Sequence, residues 1–473
     1  MFTCLSHDII AHEVTHAIVH RLRPYFLEPT NVDVLAFHEA FSDIVALFQR
    51  FSYRDLLVEY IQNARGNLLE SKMLVELAQQ FGYARGSGKP LRSAIGVEAS
   101  KVDLKKTIEA HDRGAILVSA VFDGYSRAFQ NRIADLIRIA TGGSGELPRG
   151  RLQQDLVNRL ATEASQLAER FLRMCFRAFD YMPPVDVTFG DFLRALVTSD
   201  FELNPEDREE VRYGVIEAFR ERKIFPTGVH SLAEDSLLWP NQVNGPIPQL
   251  ESHIMDLARQ LLARSASALD QVSSPRRKRR EKEPSAAAGF DAPSPIQTYQ
   301  QSVIESEVEE SERDLDFAKD LNKKMAIQLQ QYADDNRSLL GLGAQHDVAC
   351  RGFHAVHRVG ADQRLIIELV AQFMQTDKTR TETLGGIPFR AGATVIFDSE
   401  GNVRYIASKP MVDANLPADL QRAAAARLKS AELCVEALDC RDPTMPFADE
   451  EYLAQRMKLR AQFRALHEGL GHG

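Results

Sequence analysis

The sequence has few of the features that mark exported or membrane-spanning proteins. Its five cysteines are odd in number and scattered, so they indicate neither a disulfide framework nor a C-x-x-C metal motif. No run approaches the roughly 18 apolar residues of a membrane-crossing helix, and no membrane association is expected. The first residues lack a charged segment followed by an apolar one, so no secretory signal is expected. A cytoplasmic setting is the default prediction, and it depends on whether the natural chain begins upstream of Met1.

The chain also lacks a strong excess of charge of one sign. It carries 57 Lys and Arg against 66 Asp and Glu, and its net charge of −9 argues weakly against a nucleic-acid binder. One basic run, residues 275–280, could contact phosphate. Glu281 and Glu283 partly balance that run, so a solvated linker is the favoured interpretation. An apolar fraction of 44% and a length of 473 residues suit a globular protein of two to three domains.

The most informative stretch covers residues 7–44, which contain an H-E-x-x-H motif. His12 and His16 stand four positions apart, and on a helix such residues lie one above the other on the same face. Both can therefore present a ring nitrogen to one metal ion, whereas Glu13 is displaced by one position and would lean over that ion. A helix that merely carries two histidines and a solvated glutamate is the alternative, because short motifs also arise by chance.

Two carboxylates on the next segment supply the groups that such a histidine pair needs. Zinc takes His nitrogens and carboxylate oxygens in a tetrahedral shell, and a catalytic site keeps the fourth position for water. Glu39, 23 positions past His16, is the candidate third ligand. Asp43 follows one helical turn later, where it can hold the other ring N–H of a ligand histidine. Apolar residues at 9–11 and 17–19 predict that the first helix is mostly buried.

These segments resemble the pair of zinc-binding helices in thermolysin-like metallopeptidases, the gluzincin type. The resemblance rests on IIAHEVTHAIV and HEAFSDIVALF and extends with motif support over about residues 7–130. It implies a Zn²⁺ cofactor bound by His12, His16 and Glu39. It also implies that Glu13 is the base for the attacking water and that Asp43 orients a ligand histidine. The substrate would be a peptide or a protein.

A polar cluster opens a long apolar helix at residues 109–123 and places His111 at the start of that helix. Thermolysin-like enzymes have a histidine in similar surroundings that hydrogen-bonds the developing oxyanion, and the resemblance implies this catalytic role for His111. A donor aimed at that charge is among the larger catalytic contributions. A helix-capping or surface histidine is the alternative. Asp112 and Arg113 could line the rim of the same site, and an ion pair or a cap explains them equally well.

The apolar periodicity predicts a mainly α N-terminal region, residues 1–264, which would be the zinc-peptidase helical lobe. Ser, Pro, Ala and charge dominate residues 265–297, which predicts a disordered linker. A smaller α+β domain of unknown role would follow at residues 298–473. The expected elements of the chain are helices at 7–22, 32–51, 54–78, 150–182, 186–198, 205–222, 249–264, 298–335, 416–438 and 448–469, a strand at 365–370 and a hairpin over 393–406.

Thermolysin-like enzymes carry a β-rich lobe ahead of the zinc helix, whereas six residues precede His7 here. We therefore expect either an N-terminally truncated fragment of an enzyme or a chain that has lost this lobe. Two other functions compete with the peptidase. The chain would be a catalytically silent zinc-fold scaffold, or an interaction protein that acts through its C-terminal domain. No feature of the sequence predicts the cleavage specificity or the oligomeric state.

Overall fold

The computed structural model describes five stretches of the chain, residues 7–64, 103–147, 150–273, 319–359 and 365–439. Helices fill the first three stretches, and an antiparallel sheet with two helices occupies the last two. The expected coarse division into a mainly helical N-terminal region and a smaller α+β part is therefore confirmed. Within the described stretches, no helix is both long enough and apolar enough to cross a membrane.

The elements follow the predicted order closely. The helices are α1 (His7–Leu22), α2 (Val32–Gln49), α3 (Arg54–Ala64), α4 (Ala110–Ala140), α5 (Gln154–Ala178), α6 (Phe189–Leu203), α7 (Val211–Glu221), the one-turn α8 (Glu234–Leu237), α9 (Ser252–Ser273), α10 (residues 319–335) and α11 (Ala418–Asp439). The strands are β1 (Ala349–Val359), β2 (Leu365–Asp377), β3 (Phe389–Phe397) and β4 (Val403–Lys409).

Helix α2 lies at the centre of the helical region. Its Phe37 meets Phe192 of α6 edge-on with ring centroids 5.1 Å apart, and its Phe41 meets Phe179 at 4.6 Å. Edge-to-face pairs at these distances stabilise by about 0.5–1.5 kcal/mol beyond the area they bury. Phe37 and Phe41 are both fully buried, so α2 is held by packing on several sides and presents its polar positions in a fixed orientation.

The beginning of α2 is fixed by polar contacts that join three helices. Asn31 caps α2 by accepting the backbone N–H of Asp33 at 2.7 Å, the role for which Asn is favoured at this position. The carboxylate of Asp33 accepts the N–H of Phe189, the first residue of α6, at 2.9 Å. Asp33 also pairs with Arg113 near the start of α4. The N-termini of α2, α4 and α6 therefore meet at Asp33.

The four strands form one antiparallel sheet in the order β1-β2-β3-β4, and both of its faces are covered. Val370 and Ile396, paired in register, pack on the helical core. Leu369 and Ala371 point to the other face and belong to a second core with residues of α9 and α10. Burial of both faces explains why apolar residues occupy successive positions of β2 and β3, which point to opposite faces. The predicted strand at 365–370 and the hairpin over 393–406 are confirmed.

The prediction that α1 is mostly buried is wrong. Ile10, Val14, Ile18 and Leu22 are between 39% and 52% exposed. Apolar residues lie on more than one side of α1, but α2 covers only the side that bears His12 and the other inward-facing residues. In the described part of the chain, the opposite side of α1 has no covering element.

The boundary of the predicted linker also differs. Helix α9 continues to Ser273, so the first nine residues of the expected 265–297 linker are helical. The compositional signal that predicted a linker does not exclude helix, since Ala, Leu and Gln are good helix formers. Several predictions lie outside the described residues: the rest of the linker with its basic run at 275–280, the helix at 298–335 before residue 319, the end of the helix at 54–78, and the helix at 448–469.

Candidate metal centre

The side chains of three predicted ligands converge between α1 and α2. His12 and His16 point to the same side of α1, and their Nε2 atoms lie 2.8 Å apart. The Oε2 atom of Glu39 lies 3.5 Å from Nε2 of His12 and 3.6 Å from Nε2 of His16. A tetrahedral zinc site with bonds of about 2.0–2.1 Å places its ligand atoms roughly 3.3 Å apart. The two imidazoles and the carboxylate have the donor chemistry of a zinc site, and the distances to the carboxylate are close to this spacing, while the two imidazole nitrogens lie closer together than zinc would place them.

Asp43 lies behind His12, as its spacing from Glu39 predicts. Its Oδ1 atom is 2.8 Å from Nδ1 of His12. A carboxylate that accepts the N–H of one ring nitrogen fixes the tautomer of the ring, and it leaves the lone pair of the other nitrogen for a metal. Because Asp43 is one turn beyond Glu39 on α2, one helix supplies both a ligand and the group that orients another ligand.

His38 is a functional candidate that the sequence interpretation missed. Its Nδ1 atom lies 2.5 Å from Nδ1 of His16, and the two rings are nearly parallel with centroids 4.7 Å apart. Burial, followed by the nearby charge of His16, lowers the pKa of His38 to about 3, so His38 is neutral near pH 7. A neutral imidazole can accept the Nδ1–H of His16 when Nε2 of His16 binds a metal. The only feature of the sequence that could have indicated this role is the position of His38 directly before Glu39.

Glu39 is held in its ionised form. Burial acts to raise the pKa of its carboxyl, but hydrogen bonds from His12 and His16, together with the charges of His16 and His111, hold that pKa well below its usual range. A charged carboxylate is the form that binds a cation.

His111 reaches the same carboxylate from the first turn of α4. Its Nε2 atom is 3.4 Å from Oε2 of Glu39, and its Nδ1 atom is 2.9 Å from Oε1 of Glu109. Glu109 is the N-cap of α4, and its other oxygen accepts the backbone N–H of Asp112 at 2.7 Å. Burial acts to raise the pKa of Glu109, but the hydrogen bonds from His111 and Asp112 lower it below its ordinary value. Glu109 therefore orients His111 as well as capping the helix.

Gly114 allows α4 to approach α2 closely enough for this contact. A Cβ atom at residue 114 would lie 2.9 Å from the carbonyl oxygen of Ala36 and 3.3 Å from the backbone nitrogen of Ala40. Only a residue without a side chain fits there, because the first of these contacts is shorter than real Cβ atoms show. This crossing point lies one turn beyond His111 on α4 and one residue beyond Glu39 on α2, so it sets the distance between them.

Glu13 lies on the exposed side of α1, next to His12 in the chain. Its position agrees with the expectation that it is not a ligand, because His12 and His16 are buried on the side of α1 that faces Glu39, whereas Glu13 is exposed. The structure assigns it no hydrogen bond or ion pair among the described residues. Its exposed carboxylate is accessible to a water molecule and to a substrate.

The two polar residues after His111 have different surroundings. Asp112 is exposed. Arg113 is buried and pairs with Asp33 through Nε at 2.6 Å, and its Nη1 atom donates to the carbonyls of Leu104 and Thr107. Of the two explanations for Arg113, the ion pair is the correct one. Arg113 fixes the chain that leads into α4 and does not line the rim.

Comparisons of the chain with protein families, with curated proteins and with solved structures found no match. The residues of this centre are therefore the basis on which a function can be assigned.

Proposed function

We propose that this chain is a zinc-dependent metallopeptidase of the thermolysin-like type, which hydrolyses peptide bonds with metal-activated water. The observation that carries the proposal is the convergence of His12, His16 and Glu39, whose ligand atoms all lie within 4.8 Å of one another. Three protein ligands leave one position of a four-coordinate zinc shell for water or substrate, which is the arrangement of catalytic zinc sites. The substrate would be a peptide or a protein.

Each residue around the centre has a separate role in the proposed reaction. Zinc, when bound, lowers the pKa of a bound water to about 7 and polarises a carbonyl oxygen. Glu13 takes the proton of the attacking water and passes it to the leaving amine. His111, oriented by Glu109, donates a hydrogen bond to the oxyanion of the tetrahedral intermediate. Asp43 and His38 hold the two ligand histidines in the tautomers that zinc binding needs.

The test combines zinc content with hydrolysis of a mixture of peptides by the purified full chain. Glu13→Gln keeps the shape of the side chain and removes its basicity. We expect this variant to bind zinc as the wild type does and to lose hydrolysis by about 10²–10⁴-fold, the usual contribution of a general base. Activity that survives the substitution would show that Glu13 is not the base.

One observation favours a second candidate function, a catalytically silent zinc-binding scaffold for interaction. The side of α1 opposite the ligands is apolar and exposed at Ile10, Val14 and Ile18, and exposed apolar patches mark sites of association. A scaffold would bind zinc through the same ligands but hydrolyse no peptide, and Glu13→Gln would then be indistinguishable from the wild type in every assay. The same two measurements therefore separate the two functions.

A further inference from the structure

The role of the C-terminal sheet can be inferred from how it contacts the chain between the two ligand-bearing helices. This connection, residues 23–31, joins α1 to α2. Its geometry sets where α2 begins and thus where Glu39 lies relative to His12 and His16. A one-turn 3-10 helix at Pro24–Leu27 forms its first half. Arg390 of the sheet contacts it directly, and Arg427 of α11 acts on its end through Asp186.

Arg390, on β3, binds the middle of the connection. Its guanidinium forms two hydrogen bonds to the carboxylate of Glu28, from Nε at 2.8 Å and from Nη2 at 2.9 Å. The same group lies over the ring of Tyr25, 4.5 Å from its centroid, and its third nitrogen donates to Thr376 of β2. Paired hydrogen bonds between arginine and a carboxylate add directional specificity to the attraction, so Glu28 is fixed relative to the sheet.

Arg427, on α11, acts on the end of the connection through Asp186. Its Nε atom donates to Oδ2 of Asp186 at 2.6 Å. The other oxygen of Asp186 accepts hydrogen bonds from Thr30 and from Asn31, both at 2.7 Å. Asn31 is the N-cap of α2. Arg427 is tied to the sheet as well, because it donates to the carbonyl of Arg390 at 2.7 Å.

Other ion pairs between the sheet and the helices lie elsewhere. Arg404 of β4 pairs with Glu202 at the end of α6, and Lys409 pairs with Asp191 at the start of α6. These pairs attach the sheet to the helical region without touching residues 23–31. The direct contacts of Arg390 with the connection, and the indirect link of Arg427 to it through Asp186, are therefore additional to the general attachment of the sheet.

We propose that Arg390 and Arg427 are positioning residues for the metal centre, and that the C-terminal sheet serves to hold the connection between the two ligand-bearing helices. This proposal rests on the proposed function for the identity of the metal. It adds to that function a role for residues 319–439. These arginines act through Glu28 and Asn31 and touch neither metal nor substrate.

The first arm of the test uses hydrogen–deuterium exchange of the full chain and needs no metal. Backbone amides of the connection, such as those of Phe26, Glu28 and Thr30, are hydrogen-bonded in the structure and should exchange slowly. We expect Arg390→Ala to accelerate exchange over residues 23–34 by about tenfold through local opening. The matched control Arg404→Ala also removes a sheet-to-helix ion pair, and it should leave these amides protected.

The second arm measures zinc affinity by competition with a chelator of known affinity. Outer contacts that orient ligands typically change metal affinity by 10–100-fold, and we expect about a tenfold weaker affinity in Arg390→Ala and wild-type affinity in Arg404→Ala. If Arg390→Ala does not fold, Glu28→Gln weakens the same pair from the other side with a smaller change of volume, and the same results are expected.

Unchanged exchange over residues 23–34 in a folded Arg390→Ala or Glu28→Gln protein would overturn the proposal. So would equal acceleration in Arg404→Ala, which would indicate general destabilisation. A wild-type chain that binds no zinc would overturn the proposed function, while the exchange arm would still decide whether these arginines hold the connection.

Discussion

His38 provides a quantitative test of how the ligand histidines are oriented. In the zinc-bound state Nε2 of His16 binds the metal, so its proton must lie on Nδ1, 2.5 Å from Nδ1 of His38. Replacement of His38 by Leu removes the acceptor and leaves a donor of His16, which is 9% exposed, without a partner. In the metal-free state the proton can move to Nε2, so the penalty falls mainly on the zinc-bound state.

The size of the effect follows from the burial of these groups. An unsatisfied buried donor costs about 1–3 kcal/mol. Nε2 of His38 is itself buried and has no hydrogen-bond partner among the described residues, and loss of this unfavourable group offsets part of the cost. We therefore expect His38→Leu to weaken zinc binding by about 1–2 kcal/mol, or roughly 5–30-fold.

The assay is chelator competition on wild type, His38→Leu and His38→Asn, with thermal unfolding as a check on folding. The side-chain oxygen of Asn can accept a hydrogen bond, so His38→Asn should recover most of the affinity that His38→Leu loses. Equal zinc affinity of His38→Leu and the wild type would refute the reasoning, as would an Asn variant no better than the Leu variant.

Three further predictions follow from the same geometry. His111→Ala should lower kcat by about 10²–10³-fold when zinc is saturating; an unchanged kcat would contradict the role of His111 at the oxyanion. Gly114→Ala should destabilise the chain by about 1–3 kcal/mol through overpacking against Ala36, measured by denaturant unfolding, and an unchanged midpoint would contradict the close approach of α4. Burial acts to raise the pKa of Asp186, but the charges of Arg427 and Lys409 hold it below its ordinary value. The stability that Asp186 contributes is therefore fully present above its unfolded-state pKa of about 3.9 and is lost as the pH falls toward the folded value. The free energy of unfolding should accordingly fall more steeply from about pH 5 to pH 3 in the wild type than in Asp186→Asn; equal slopes would show that Asp186 is not responsible.

The parts of the centre that could be predicted from the sequence are those set by helical spacing. His12 and His16 share a face because they are four residues apart, and Asp43 reaches His12 because it lies one turn beyond Glu39. The spacing of His12 and His16 holds in any helix, whereas the contact of Asp43 with His12 also needs α2 to lie against α1 with the face of Glu39 turned toward it. The position of His111 at the start of a helix was also predictable from the polar cluster before an apolar run.

Contacts between distant segments could not be predicted in this way. The pairing of Arg113 with Asp33 joins residues 80 positions apart, and that of Arg390 with Glu28 joins residues 362 positions apart. Nothing in the local sequence of either partner specifies the other, because the fold alone brings them together. The prediction that α1 is mostly buried was wrong for a similar reason. Apolar periodicity shows which sides of a helix can be buried, but it does not show whether another element covers each side.

His38 shows a different kind of failure. Its place beside Glu39 was visible, but neighbouring residues on a helix point in directions about 100° apart, so a role beside the same ligands was not evident. The rotation of α2 against α1 turns His38 toward His16 while Glu39 faces both histidines. That rotation depends on the packing of Phe37 and Phe41, which only the structure reveals.

The central claim is that His12, His16 and Glu39 bind one zinc ion, and metal content tests it most directly. The full chain would be purified as wild type and as His16→Ala, and zinc would be counted per chain by elemental analysis. We predict one zinc per wild-type chain and none in the variant, with the variant still folded. A folded wild-type chain without zinc, or a variant that keeps its zinc, would contradict the assignment of the metal centre.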